Sequence, residues 1–154
     1  MTLKINDKAP LFKGIGYDGN EIKLSDYLGK SNVVLYFYPK DNSPGCTKEA
    51  CRFRDEFDEF NKLNAIIIGV NRASVESHRR FKEKRNLPFN IISDADGEIY
   101  KSYEVKSGLI SERVTYVIDR NGVIREVYNS QLNYMKHPEI ARTALEKIEQ
   151  EEKN

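Results

Sequence analysis

The chain has 154 residues, 39% hydrophobic and 32% charged, which suits one globular domain with a sizeable core and excludes a disordered polymer. A formal net charge of +1 gives no electrostatic basis for a nucleic-acid or membrane partner. The longest apolar run, around Val33–Phe37, is far too short to span a bilayer, and the opening MTLKINDKAP lacks the apolar stretch of a signal peptide, so a cytoplasmic protein is expected.

Phe12–Ile15 and Glu21–Leu24 flank Tyr17-Asp18-Gly19-Asn20 and predict an N-terminal β-hairpin. Ser25–Leu28 begins a short helix or turn that Gly29 ends. Val33–Tyr38 is a continuous β-branched and aromatic run, the pattern of a strand buried on both faces, and Pro39 ends it. Ala50, Phe53, Phe57 and Phe60 recur at spacings of three and four, predicting one helix from about Gly45 to Leu63. Ala65–Val70 is a second buried strand, and Ser74 caps a polar helix to about Arg85. Asn90–Ile92 reads as a short strand and Asp96–Tyr103 as a short helix. Val114–Ile118 and Val123–Tyr128 flank Asp119-Arg120-Asn121-Gly122, in which Asn-Gly is a strong hairpin-turn signal. A last helix runs from His137 to about Glu151, with Ile140, Ala144, Leu145 and Ile148 inward. No linker or repeat divides the chain, so residues 1–154 form a single domain of α/β class. The element order implies a mixed central sheet with helices on both faces.

The chain has two cysteines, Cys46 and Cys51. In a cytosolic protein such a pair more often serves redox or metal chemistry than a permanent disulfide. Cys46 follows a strand-end proline and a Pro-Gly turn, at the first turn of the predicted helix. Free backbone N–H groups and the positive end of the helix dipole there favour a thiolate. Five positions along an α-helix put two Cα atoms about 8.6 Å apart, whereas a disulfide needs about 7 Å or less. Either the two thiols never pair, or the first turns unwind when they do. Taken alone, the pair is as readily two small buried apolar residues as a redox couple. The strand–proline–turn–cysteine–helix context favours reactivity, and the spacing is wider than the C-x-x-C of an exchange site.

The stretch FYPKDNSPGCTKEAC, Phe37 to Cys51, resembles the active-site run of the peroxiredoxins, most closely the peroxiredoxin Q or bacterioferritin comigratory group. It carries the family pattern P-x-x-x-[TS]-x-x-C as Pro39, Ser43 and Cys46, and RVTYVIDRNGVI, Arg113 to Ile124, looks like the family's Arg-bearing strand and hairpin. The resemblance implies a thioredoxin-like fold and thiol-dependent reduction of hydrogen peroxide and organic hydroperoxides. It implies Cys46 as peroxidatic thiolate and Cys51 as resolving thiol. Ser43, where Thr is usual, would hold the peroxide oxygens. Arg113 would stabilise the thiolate and polarise the peroxide, Pro39 would shield the sulfur, and Glu49 would support the charge network. No cofactor or metal is implied. The implied reductant is a thioredoxin-like or glutaredoxin-like protein, and the implied state is a monomer or weak dimer. The rival readings are a thiol–disulfide exchange protein and a redox-sensing module.

Three other signals are set aside. Gly14-Ile-Gly16-Tyr-Asp-Gly19 fits G-x-G-x-x-G, but a hairpin follows it where a dinucleotide site needs a helix. The basic run His78–Arg85 reads as a solvated helix face. A zinc site drawing Cys46, Cys51, His78 and His137 together lacks paired spacing, so both histidines read as exposed.

Overall fold

The structure, a computed structural model, describes residues 2–109 and 111–154. Seven strands form one mixed sheet: β1 (Lys13–Gly16), β2 (Glu21–Lys23), β3 (Asn32–Phe37), β4 (Ala65–Asn71), β5 (Asn90–Ser93), β6 (Val114–Ile118) and β7 (Ile124–Asn129). Their order is β2-β1-β5-β4-β3-β6-β7. β3 pairs parallel with β4, and β4 with β5, while β6 lies antiparallel to β3 and β7 to β6. Every residue of β3 is buried, as its unbroken apolar run requires of a central strand.

The helices are α1 (Pro44–Asp55), α2 (Phe57–Lys62), α3 (Val75–Arg85), α4 (Glu98–Ser102) and α5 (Lys136–Glu152). Alternate residues of β3 feed two cores. Val34, Tyr36 and Tyr38 pack with Phe53, Phe60, Phe81 and Leu145 under α1, α2, α3 and α5. Val33, Leu35 and Phe37 pack on the opposite face with Leu24, Tyr100, Tyr103 and Tyr116. The mixed sheet, the helices on both faces and the N-terminal hairpin are those expected from the sequence.

Two expectations are corrected. The single helix from Gly45 to Leu63 is two helices, because Glu56 takes φ −102° and ψ 13°. Arg52 Nε and Arg142 Nη1 donate to the Glu56 carboxylate at 2.7 and 2.9 Å, which fixes the bend. The continuous stripe of phenylalanines survives the break, so apolar spacing gave no sign of it. On α5 the inward residues are His137, Ala141, Leu145 and Ile148, while Ile140 and Ala144 are half-buried. The inward face starts with a histidine, which a search for apolar residues passes over.

The turn before β7 takes in Val123 beyond the expected Asp119-Arg120-Asn121-Gly122, since β7 begins at Ile124. Asp119 receives the amides of Asn121 and Val123 at 2.9 and 3.1 Å, and only Gly122, at φ +79°, takes the left-handed conformation. Ser74 caps α3 by accepting from Ser77 N at 3.1 Å, as the sequence predicts.

Candidate active site

β3 ends at the sheet's centre, and the chain turns through residues 38–43 into α1. Two layers of hydrogen bonds hold that turn. Asn71 Nδ2 and Tyr100 OH donate to the Tyr38 carbonyl at 2.6 and 3.2 Å, fixing the backbone before Pro39. The Asp41 carboxylate accepts from Tyr38 OH at 2.6 Å and from Ser77 Oγ at 2.7 Å, and lies 2.7 Å from His78 Nδ1. Burial acts to raise the Asp41 carboxyl, and the hydrogen bonds and His78 outweigh it, so it sits below its usual value. The loop is thereby pinned to α3.

Ser43 is the N-cap of α1, with Pro44 in the first turn. Its hydroxyl donates to the Lys40 carbonyl at 3.0 Å instead of capping the helix. The amides of Gly45 and Cys46, which precede the first helical hydrogen bonds, are therefore left to the site. Cys46 is buried and Cys51 half-buried, both on α1 and both free thiols. α1 is continuous between them, so the two sulfurs are not poised to bond.

Arg113, one residue before β6, approaches Cys46 from the neighbouring strand. Its Nη1 lies 3.4 Å from Cys46 Sγ and donates to Glu49 Oε1 at 2.7 Å. Its Nε donates to the Gln131 carbonyl at 3.0 Å, and the Tyr134 ring centroid lies 5.7 Å from the guanidinium carbon. Gly45 makes this approach possible. A Cβ there would lie 3.0 Å from Tyr134 Cδ1 and 3.3 Å from Arg113 Nη2. Pro39 is half-buried and borders a cavity of about 400 Å³ walled also by Lys40, Asn71, Arg72 and Tyr100.

Glu49 sits one turn after Cys46 and is wholly buried. Burial pushes its carboxyl up to about 8, against the charge and hydrogen bond of Arg113. Behind it lies His137, also wholly buried. The His137 Nε2 is 2.8 Å from the Ser130 carbonyl and Nδ1 is 2.8 Å from Thr115 Oγ1. Burial first, with the Arg113 charge adding to it, pushes the ring down to about 4 despite the Ser130 hydrogen bond.

Cys46, Arg113 and Glu49 are thus brought together, with Ser43 and Pro39 on the loop that leads into the same helix. The expectation of exposed histidines is wrong for both. His78 is drawn inward to Asp41 and His137 to Thr115, because each supplies the hydrogen bond that an otherwise buried polar group needs. Among the described residues, no group of three or more His, Cys, Asp and Glu side chains is placed to hold a metal ion. Asp41, Thr115 and Tyr134 are not singled out by the sequence, where His137 reads only as an exposed residue. One signal was available: Thr115 is a polar residue within the apolar strand V-T-Y-V-I.

Residues 5–127 match the AhpC/TSA family. A chloroplastic peroxiredoxin Q of Suaeda salsa is 45% identical over 131 residues, covering 83% of this chain and 61% of the relative. Peroxiredoxin Bcp of Bacillus subtilis is 46% identical over 130 residues, covering 79% of this chain and 82% of the relative. The chain thus spans about three fifths of the chloroplastic relative's length and most of the bacterial one. Among solved structures, a peroxidoxin BcpB of Mycobacterium tuberculosis superposes with a TM-score of 0.90 at 34% identity, covering 95% of this chain and 98% of that one. A peroxiredoxin Q of Xanthomonas campestris gives 0.81 at 28% identity, covering 88% and 90%. The fold is the thioredoxin-like fold of those proteins, and the chain belongs to the AhpC/TSA family, among the peroxiredoxins named Q or Bcp.

Proposed function

We propose that this protein is a thiol peroxidase that reduces hydrogen peroxide and organic hydroperoxides at Cys46. The observation that carries the reading is Arg113 Nη1 held 3.4 Å from a buried cysteine sulfur at a helix N-terminus. A fixed cation and free amides together stabilise the thiolate. The Cys46 thiolate attacks one oxygen of the peroxide and the O–O bond breaks. Cys46 becomes a sulfenic acid, and the departing oxygen takes a proton to leave as water or alcohol. Arg113 faces that oxygen as it gains charge, with no reorganisation, because Glu49 and the Gln131 carbonyl already hold the guanidinium. The Ser43 hydrogen is engaged by Lys40, so its oxygen is left to accept from the peroxide O–H. Pro39 shields the sulfur.

The Cys51 thiol then attacks the Cys46 sulfenic sulfur, releasing water and forming a disulfide. This needs the first turns of α1 to unwind. A thioredoxin-like or glutaredoxin-like dithiol protein reduces the disulfide by exchange. The whole chain acts as one domain and as a monomer or weak dimer in the cytoplasm, without cofactor or nucleic acid. Among the described residues, no helix is long and apolar enough to cross a membrane.

Peroxide consumption with a dithiol donor tests this reading. Wild type is expected to turn over, and Cys46→Ser to lose all turnover. Cys51→Ser is expected to consume one equivalent and stop as the sulfenic acid. Sustained turnover by Cys46→Ser would end the proposal.

A further inference from the structure

Glu49 Oε2 is buried without a hydrogen-bond partner, while Oε1 receives Arg113 Nη1. An orphaned carboxylate oxygen in an apolar interior is costly. The nearest polar group on α5 is His137 Nδ1, 3.7 Å away. The tautomer of that ring is fixed by its other side. The Ser130 carbonyl can only accept, so Nε2 carries the hydrogen. Nδ1 of the neutral ring is then a lone pair, and the Thr115 hydroxyl donates to it. A carboxylate oxygen would face that lone pair in repulsion. A protonated Oε2 carries no such charge, so the repulsion is lifted.

We propose that Glu49 is a neutral carboxylic acid in the reduced protein and that His137 is the positioning residue that keeps it so, leaving the charge of Arg113 to the Cys46 thiolate. The inference rests on the thiol-peroxidase reading for its consequence, but not for its test. A neutral carboxyl still accepts from Arg113 through Oε1, so it aims the guanidinium without neutralising it. An ionised Glu49 would compete with Cys46 for the same cation. The groups facing Glu49 are few. Cys46 lies on its own helix, Arg113 and Thr115 at β6, His137 on α5 and Tyr36 on β3. Burial first, then Glu49 and Cys46, raise the Tyr36 phenol well above its usual range, so Tyr36 is neutral. The upward displacement of Glu49 and the downward displacement of His137 agree with one proton held on the carboxyl side of the pair.

Infrared difference spectroscopy of the reduced protein at neutral pH tests the charge state directly. A protonated carboxyl C=O band is expected in wild type and is expected to vanish in Glu49→Gln. Nitrogen NMR of His137 is expected to report a neutral ring with hydrogen on Nε2. His137→Gln offers Oε2 an amide donor, which favours the carboxylate. In that variant the band is expected to disappear at neutral pH, and the rate of Cys46 with hydrogen peroxide to fall roughly tenfold. In the double variant Glu49→Gln/His137→Gln, the Cys46 thiolate absorbance lost in His137→Gln is expected to return, which a structural role alone would not produce. Absence of the band from wild type, or an imidazolium signal from His137, would overturn the proposal. Absence of peroxidase activity in wild type would overturn the functional reading instead, with the band unaffected.

Discussion

Arg113 serves a sulfur and a carboxyl from one nitrogen, so the protonation of Glu49 has a thermodynamic signature as well as a chemical one. Its folded-state value of about 8 lies above the ordinary carboxyl value. The unfolded chain therefore releases this proton first as pH rises, and stability falls between about 4.5 and 8, by at most about 1.4 kcal/mol per pH unit. His137 acts over a different window. Its value of about 4 lies below that of a free histidine, so stability is lost as pH falls from about 6.5 toward 4. Urea unfolding across this range is expected to show the alkaline decline flatten in Glu49→Gln. At Gly45 two effects oppose each other. Alanine favours helix by up to about 1 kcal/mol, yet its methyl would press on Tyr134 and Arg113. Gly45→Ala is expected to keep or raise the melting temperature while slowing peroxide reduction, read in paired thermal and stopped-flow measurements. At this scale the sequence disclosed the residues proposed to react and little of what holds them. Pro39, Ser43, Cys46 and Arg113 sit in a recognisable pattern, whereas His137 meets Thr115 across 22 residues of chain and Asp41 meets His78 across 37. Local spacing carries no trace of such pairings.

Among the elements, α1 carries both cysteines and is the one proposed to unwind. Its first two turns hold both cysteines, and its third is anchored. Phe53 is wholly buried and stacks on Tyr36 with ring centroids 4.7 Å apart. Arg52 Nη1 and Arg54 Nη1 donate to the carbonyls of Met135 and Arg85, each at 2.7 Å. Disulfide formation is expected to strip hydrogen-exchange protection from the amides of residues 46–51 and leave those of β3 and β4 unchanged. Equal loss across the sheet would contradict a local unwinding. Phe53→Ala is expected to cost about 3–5 kcal/mol in denaturant unfolding, the range for emptying a large aromatic site. The sequence disclosed the strands most fully, since β3, β4 and β6 are apolar on both faces and need no partner to be recognised. The Glu56 break lay outside its reach, because the apolar stripe runs through it and Arg142, which pairs with Glu56, is 86 residues away in the chain.

For the whole molecule, the cores on the two sheet faces share β3 and β4, so neither can open alone. The N-terminal segment joins the far edge, with Asn6 N donating to the Ile124 carbonyl at 2.8 Å and Ala9 N to the Gly122 carbonyl at 2.8 Å. One cooperative transition is expected, with fluorescence and circular dichroism midpoints coinciding; two separated midpoints would argue for independent units. α5 closes the helical face through Ala141, Leu145 and Ile148 and delivers His137 to the site. The sequence supplied the helix and a mixed sheet, but neither the strand order that brings α5 back to β6 nor the histidine's destination.

The bend at Glu56 bears on endurance. Because α2 begins afresh beyond it, with Phe60 seated in the interior, melting that starts at Pro44 meets a boundary before it can reach the second half of the crossover. Under the proposed redox cycle, each oxidation can thus rearrange only the first turns of one helix and let them wind back, while the core beyond Glu56 stays closed.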